Sequence, residues 1–337
     1  MEHDGLEPYG WDDRWAALLA GLGLPGATPA RVARHDGVAL AVVGPGGPTQ
    51  VPFRRNLDPT PVVGDWVAVV DGVAAHVLER ASVLRRRDAE RGSEQALVAN
   101  LDDVLIVCGA DRPVRAGRIQ RFAALAGDAG ATSTVVVTKA DLVEDLGPLV
   151  EAAATADPGA RVLATSSVTG QGLDELRATV SGRTVVMLGE SGAGKSSLAN
   201  ALVGAPVAET GEVREGDAKG RHTTTARQLH ALPGGGVLVD TPGVRAVGLS
   251  ADPDAVSSAF GEIDELAEAC RFADCAHRGE PGCAVAGAVR DGTLDPARLE
   301  RWRALHAEAE AAARRGRGPG RGGRRRDPGR GSSRPDR

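Results

Sequence analysis

Gly189-Glu190-Ser191-Gly192-Ala193-Gly194-Lys195-Ser196 fits the pattern G-x-x-x-x-G-K-S. Before it stands Thr184-Val185-Val186-Met187-Leu188, a β-branched and apolar run of strand length. After it comes Ser197-Leu198-Ala199-Asn200-Ala201-Leu202, which reads as the opening of a helix. A strand, a glycine turn and a helix N-terminus in that order present a row of backbone N–H groups to an anion. Residues 189–197 are therefore expected to cradle phosphates, with Lys195 reaching the β and γ oxygens and the Ser196 hydroxyl ligating Mg²⁺.

Outward from this loop, strand-length runs alternate with helical stretches from about residue 100. Val104-Leu105-Ile106-Val107, Thr134-Val135-Val136-Val137, Arg161-Val162-Leu163-Ala164 and Val237-Leu238-Val239 join the run at 184–188. The pattern predicts a doubly wound, mostly parallel sheet, in which ligands bind beyond the carboxyl ends of the strands. Each further motif sits at such an end. Thr138-Lys139-Ala140-Asp141 matches a base-reading T/N-K-x-D. Asp141 can accept from guanine N1–H and N2–H, which adenine cannot offer, while the Lys139 stem packs over the ring. Ser166-Ser167, opening Ser166-Ser167-Val168-Thr169-Gly170, is expected to back guanine O6 through backbone N–H. Asp240-Thr241-Pro242-Gly243 supplies a carboxylate for Mg²⁺ through water and, at Gly243, an N–H for the γ-phosphate. Between the phosphate loop and Asp240 lies Gly220-Arg221-His222-Thr223-Thr224-Thr225, where one of Thr223 and Thr224 is expected to reach Mg²⁺.

The order of these motifs is unusual. Base-reading elements precede the phosphate loop, whereas GTPases ordinarily begin with that loop, so the chain reads as circularly permuted. The chain beyond Asp240 then leads directly to Cys270-x4-Cys275-x-His277-x5-Cys283. Three thiolates and one imidazole close a tetrahedral site with no position left for water, which favours one structural Zn²⁺. Cys108, at the end of an apolar run, reads as a core residue. Asp295-Pro296 opens a helix with Leu299, Trp302 and Leu305 on one side. Upstream of the sheet, residues 31–90 alternate short β-rich runs with Gly/Pro turns, as in Val38-Ala39-Leu40-Ala41-Val42-Val43 and Trp66-Val67-Ala68-Val69-Val70. A small OB-like barrel is predicted there.

Composition bounds the rest. The 337 residues carry a net charge of -5, yet 314–337 alone hold ten Arg and two Asp, so the body is acidic and the tail basic. The Gly/Arg-rich segment 313–337 cannot bury enough apolar surface to offset its ordering entropy and is read as disordered. It is either simply solvated or drawn to RNA phosphate. Only Lys139, Lys195 and Lys219 among the 40 basic residues are not Arg, and all three lie in or beside the nucleotide motifs. Aromatics are only 3%, so the core must be built from Val, Leu and Ala. No basic-then-apolar leader opens the chain, no run is long enough to span a bilayer, and the cysteines have metal rather than disulfide spacing. A cytoplasmic protein without membrane contact is expected.

Together the barrel segment, Thr138-Lys139-Ala140-Asp141, Ser166-Ser167, Gly189 to Ser196, Gly220-Arg221-His222-Thr223-Thr224-Thr225, Asp240-Thr241-Pro242-Gly243-Val244-Arg245 and the Cys3His spacing resemble the ribosome small-subunit-dependent GTPase A family. These are circularly permuted GTPases of late small-subunit maturation. The resemblance covers roughly residues 31–310. It implies a GTP hydrolase stimulated by the small ribosomal subunit, contact of barrel and zinc module with ribosomal RNA, and monomeric action. It also suggests the division 1–30 N-terminal segment, 31–90 barrel, 95–248 GTPase and 249–312 zinc-binding, mainly helical. The chain departs from that family at Thr138 and in its Arg-rich tail, which lies outside the family core. Thr138 replaces the more usual Asn, which predicts loss of one hydrogen bond to the phosphate-loop side. Val244 stands where many GTPases place a water-orienting Gln, so intrinsic hydrolysis is expected to be slow, with His222 or a ribosomal group orienting the water. The alternative function is a GTP-controlled RNA-binding module in which hydrolysis is only a release timer. A P-loop kinase is disfavoured by Asp141.

Overall fold

The structure is a computed structural model that describes residues 5–54, 56–87, 94–208, 227–240, 260–272 and 275–316. Its first helix, α1 (Asp13–Gly21), starts where the Asp12 carboxylate accepts from Trp15 N at 3.2 Å. Trp15 and Leu19, one turn apart, bury against Val43, Trp66, Ala68 and Leu78 on the outside of a barrel.

That barrel consists of β1 (Thr28–His35), β2 (Ala39–Gly44), β3 (Gly47–Pro52), β4 (Trp66–Val70) and β5 (Val73–Val77), ordered β3-β2-β1-β4-β5 with antiparallel pairs throughout. A parallel bridge between Phe53 and Ala74 joins the two edges, so the sheet closes on itself as an OB-like barrel. Asp71 and Gly72, both at positive φ, make the tight turn that a two-residue hairpin between β4 and β5 requires. The interior is small and aliphatic: Ala30, Val32, Leu40, Val42, Val51, Val67, Ala74 and Val77. Val38, expected to start a strand, is instead 87% exposed at the β1–β2 turn.

A two-stranded ribbon, β6 (Val83–Arg87) with β7 (Glu94–Ala99), leads into the main sheet. This comprises β8 (Asp103–Gly109), β9 (Thr132–Thr138), β10 (Arg161–Ala164), β11 (Thr184–Gly189), β12 (Gln228–Ala231) and β13 (Val237–Asp240), in the order β10-β9-β8-β11-β13-β12. All pairs are parallel except β12 with β13. Strands β8 to β11 are near-continuous Val, Leu and Ile because helices cover both faces. On one face α4 (Leu173–Val180) and α5 (Lys195–Val203) bury Leu176, Val180, Leu198 and Leu202 against Leu105, Val136, Val185 and Leu238. On the other lie α2 (Ala116–Asp128) and α3 (Gly147–Ala156), and over these the C-terminal helices α6 (Gly261–Glu268), α7 (Ala284–Arg290) and α8 (Pro296–Gly316). Ile119, Phe122 and Leu125 share one apolar cluster with Phe260, Ile263, Val285, Leu299, Trp302 and Leu305. The apolar stripe of α8 is therefore packing. Its start is fixed by Asp295 Oδ1, which accepts from Ala297 N at 2.9 Å.

Barrel and sheet meet at Arg31, which is 2% exposed. Its guanidinium donates to Gly64 O at 3.3 Å, Asn100 O at 3.3 Å, Thr184 Oγ1 at 2.8 Å and the carbonyl of Tyr9. Burial pushes its pKa down to about 10, opposed by the charges of Asp102 and Asp65.

Candidate functional site

Because β8, β9, β10, β11 and β13 run parallel, the turns after them gather at one edge of the sheet. The phosphate-loop candidate leaves β11 at the centre. Gly189 pairs with Val107 in the β8 ladder, and a Cβ there would lie 2.3 Å from the Val107 carbonyl oxygen. Only glycine lets the two backbones approach this closely. Gly192 and Gly194 take φ of 75° and 90°, and α5 then begins at Lys195. Ser191, Gly192 and Ser197 are exposed, while Ala193 is buried against the sheet.

Lys195 spans its own loop: Nζ donates to Gly189 O at 2.9 Å and to Glu190 O at 2.5 Å. An ammonium has three donors, so one remains for a phosphate oxygen. Burial lowers the Lys195 pKa, and the negative charge of Asp240 at the end of β13 opposes that shift. A site that partly desolvates its own cation, with a carboxylate nearby, is suited to polyphosphate with a divalent ion.

The base-reading candidates come together one strand beyond β8. Lys139 adopts a left-handed φ of 60° and turns the chain so that Asp141 faces the turn after β10. Ser166 Oγ donates to Asp141 Oδ1 at 2.5 Å and accepts from the backbone N–H of Val168 and Thr169 at 3.2 and 3.1 Å. Ala140 N donates to Thr165 O at 3.0 Å, which stitches the two turns together. Ser167 is half-buried beside them. A carboxylate with one oxygen tied back and the other free is oriented to accept from a planar edge bearing two donors.

Thr138 departs from expectation. Its Oγ1 donates to Ala193 O at 2.5 Å and lies 3.2 Å from Cys108 O, so the bond to the phosphate-loop side is present. The physical reason is proximity: a Cβ on Gly194 would stand 3.1 Å from Thr138 Oγ1, close enough for a short hydroxyl to bridge β9 and the loop.

Sequence reasoning missed the turn after β8, the one parallel strand whose end had not been read. Asp111 Oδ2 accepts from Lys139 Nζ at 2.8 Å and from Arg112 NH2 at 3.0 Å. These two cations hold the Asp111 carboxyl well below the usual carboxylate range. Glu190 of the phosphate loop is ion-paired to Arg112, Arg115 and Arg118. The available signal was position alone: Gly109-Ala110-Asp111-Arg112 occupies the same sheet edge as the other motifs. His222, Thr223, Thr224 and Gly243 lie outside the described residues, as does 317–337 of the basic tail.

Away from this edge, Cys270, Cys275, His277 and Cys283 offer ligand atoms that all lie within 4.8 Å of one another. His277 Nδ1 is 3.6 Å from the sulfurs of both Cys270 and Cys283, which are 3.9 Å apart. Tetrahedral ligands about 2.1–2.3 Å from a zinc ion are separated by roughly 3.7 Å, a spacing that the Cys270, His277 and Cys283 atoms match. Local structure supports the set. His277 takes φ 57°, Cys283 Sγ caps α7 by accepting from Ala286 N at 3.3 Å, and Glu280 accepts from the N–H of Ala276 and Arg278 at 3.1 and 2.6 Å. Cys108 is partly buried among the core residues, and burial pushes its thiol up to about 11, the behaviour of an inert side chain. No described helix is long and apolar enough to cross a membrane.

Comparison with known proteins agrees with this arrangement. The chain is 47% identical over 318 residues to the small ribosomal subunit biogenesis GTPase RsgA of Streptomyces coelicolor, covering 91% of this chain and 87% of that protein. Among solved structures it is similar to YjeQ from Thermotoga maritima, with a TM-score of 0.66 and 27% identity over 84% of this chain and 99% of that one. It also shares the fold of YloQ, a circularly permuted GTPase, with a TM-score of 0.62 over 85% of this chain and 96% of that one. The family model of the RsgA GTPase matches residues 77–250. A match over half of the chain, joined to 47% identity over 91% of it with a relative of that name, means that this protein belongs to the RsgA GTPase family.

Proposed function

We propose that the protein hydrolyses GTP to GDP and inorganic phosphate as a maturation factor of the small ribosomal subunit, with turnover stimulated by that subunit. The carrying observation is the edge constellation in which Asp141 is held by Ser166, Thr138 by the Ala193 carbonyl, and Lys195 across Gly189 and Glu190. In this reading Asp141 accepts from guanine N1–H and N2–H, and Lys139, Ala140, Ser166 and Ser167 frame the base. Gly189 to Ser197 cradle the phosphates. Ser196 and Asp240, with one of Thr223 and Thr224, would hold Mg²⁺, which would supply charge neutralisation. Water oxygen bonds to the γ phosphorus as the bond to the β–γ bridging oxygen breaks, its electron pair stays on GDP, and the water protons leave with phosphate and solvent. Lys195 and the loop N–H groups stabilise the charge that spreads over these oxygens. His222 or a group of the ribosome would orient the water.

The same reading divides the chain into barrel (31–90), GTPase (95–248) and zinc-binding (249–312) parts and has it act as a cytoplasmic monomer. Barrel and zinc module would meet ribosomal RNA. One Zn²⁺ held by Cys270, Cys275, His277 and Cys283 would be structural, since four protein ligands leave no open position. The test is hydrolysis of GTP by the purified chain alone, with small subunits and with large subunits. Strong stimulation by small subunits only is expected. No stimulation by either removes the maturation reading, and nucleotide-dependent subunit affinity without stimulation favours a release timer.

A further inference from the structure

The phosphate loop is bordered by more positive charge than its own motif supplies. Arg112 lies in the connection from β8 to α2, Arg115 is the residue before α2 and Arg118 stands in its first turn. All three converge on Glu190: Arg118 pairs with Oε1, Arg115 approaches Oε1 at 3.5 Å, and Arg112 approaches Oε2 at 3.4 Å. Arg112 also donates to Asp111 at 3.0 and 3.2 Å. Its guanidinium sits at the mouth of the loop. NH1 is 3.4 Å from Ser191 O, and a Cβ on Gly192 would lie 3.4 Å from NH2.

Position distinguishes Arg112 from its neighbours: among the contacts described, it is the one of the three arginines that also reaches Asp111 and the loop backbone at Ser191. Glu190 without Arg112 keeps Arg115 and Arg118, and Asp111 without Arg112 keeps Lys139 at 2.8 Å. Arg112 can leave both carboxylates without stranding either. Its contacts to the loop are long and its side chain is 37% exposed, so they hold it weakly. Arg115 and Arg118 point to Glu190 alone among the ion pairs described and serve to keep the connection against the loop.

We propose that Arg112 is a catalytic arginine supplied by the chain itself. With nucleotide in the loop, its guanidinium turns from Glu190 and Asp111 onto the β–γ bridging and γ-phosphoryl oxygens. The proposal rests on the GTPase reading and deepens it. As the water oxygen bonds to the γ phosphorus and the bridging oxygen departs with its electron pair on GDP, negative charge builds on the oxygens that a planar, bidentate cation matches best.

The test uses the full chain with Mg²⁺, alone and with small subunits. Single-turnover hydrolysis at saturating GTP is read beside the affinity for GDP, the affinity for GDP with aluminium fluoride as a mimic of the transferring phosphoryl group, and the melting temperature. Arg112→Ala and the size-preserving Arg112→Gln are expected to lower kcat at least about tenfold. They should also abolish the gain in affinity that aluminium fluoride gives over GDP alone, with GDP affinity and melting temperature near those of the unaltered chain. Arg112→Lys should recover part of both. Unchanged kcat in the Ala and Gln variants overturns the proposal, as does a parallel loss of GDP affinity and stability with kcat retained, which marks a mere brace. The unaltered chain, measured first, separates the two levels. Absence of hydrolysis there sinks the GTPase reading itself, whereas hydrolysis insensitive to Arg112 sinks the inference alone.

Discussion

In the proposed guanine site Asp141 would discriminate bases because one of its oxygens is already held by Ser166 and cannot swing away. Asp141→Asn turns an acceptor into a donor facing the two donors of guanine. Affinity for GDP should fall at least about 100-fold, from two charge-assisted bonds of about 1.5–3 kcal/mol each, while xanthosine diphosphate, which carries a carbonyl at that edge, should gain. Competition between the two diphosphates checks this. Ser166→Ala keeps the carboxylate but frees it, and costs about 1–2 kcal/mol, read as roughly a tenfold weaker GDP affinity with preserved selectivity over XDP. Both residues were legible in the sequence because their chemistry requires a fixed offset from a strand end. Asp111 and Arg112 were not, because their meaning comes from Lys139 and Glu190, 28 and 78 residues further along the chain. Thr138 was legible as a position but not in its bond, since only the approach of Gly194 shows that a short hydroxyl suffices.

At the scale of elements, periodicity announced the buried parallel strands, whose unbroken Val, Leu and Ile runs have few other readings. It did not announce α1, β1, the β6–β7 ribbon or β12. Strand β12 is four residues, Gln228-Leu229-His230-Ala231, at the sheet edge, and its identity comes from pairing with β13 rather than from composition. Helix α1 depends on a surface it covers, the outside of the barrel around Trp66. A close element contact is β11 on β8 at the root of the phosphate loop. Gly189→Ala places a methyl 2.3 Å from the Val107 carbonyl, a backbone atom that cannot turn aside. The two strands must separate locally, at about 1–3 kcal/mol. The expected result is a folded protein, by circular dichroism, whose GDP affinity is at least about tenfold weaker because the loop no longer leaves the sheet at the same height.

Over the whole molecule the permutation matters through what it joins. The chain leaves β13 at Asp240 and, after residues 241–259, returns at Phe260 to cover α2 and α3, so the helices around the Cys3His set are not an appended knob. They complete the apolar layer on one face of the GTPase sheet, where Trp302, Leu305 and Val285 belong to the same cluster as Ile119, Phe122 and Leu125. Arg298 reinforces the contact by donating to Ala156 O at 3.1 Å at the end of α3. This shared core decides how the molecule should respond to loss of a metal held by the Cys3His set. If the C-terminal helices formed an independent body, chelation would add a separate low-temperature transition and leave the main one in place. Since they roof the sheet, removing the ion frees Cys283 from its role at the start of α7 and loosens the layer that Phe122 needs. Calorimetry of the chelated chain should therefore show the main transition itself lowered, by at least about 5 °C. The thiolates and the imidazole must be deprotonated to hold the ion, so the sign with pH is fixed: metal content is retained above neutrality and falls as protons compete on acidification. Cys270→Ser should reproduce the chelated profile without chelator. A main transition that stays put, with only a new shoulder beneath it, would show the two bodies to be separable and would undo the argument for a shared core.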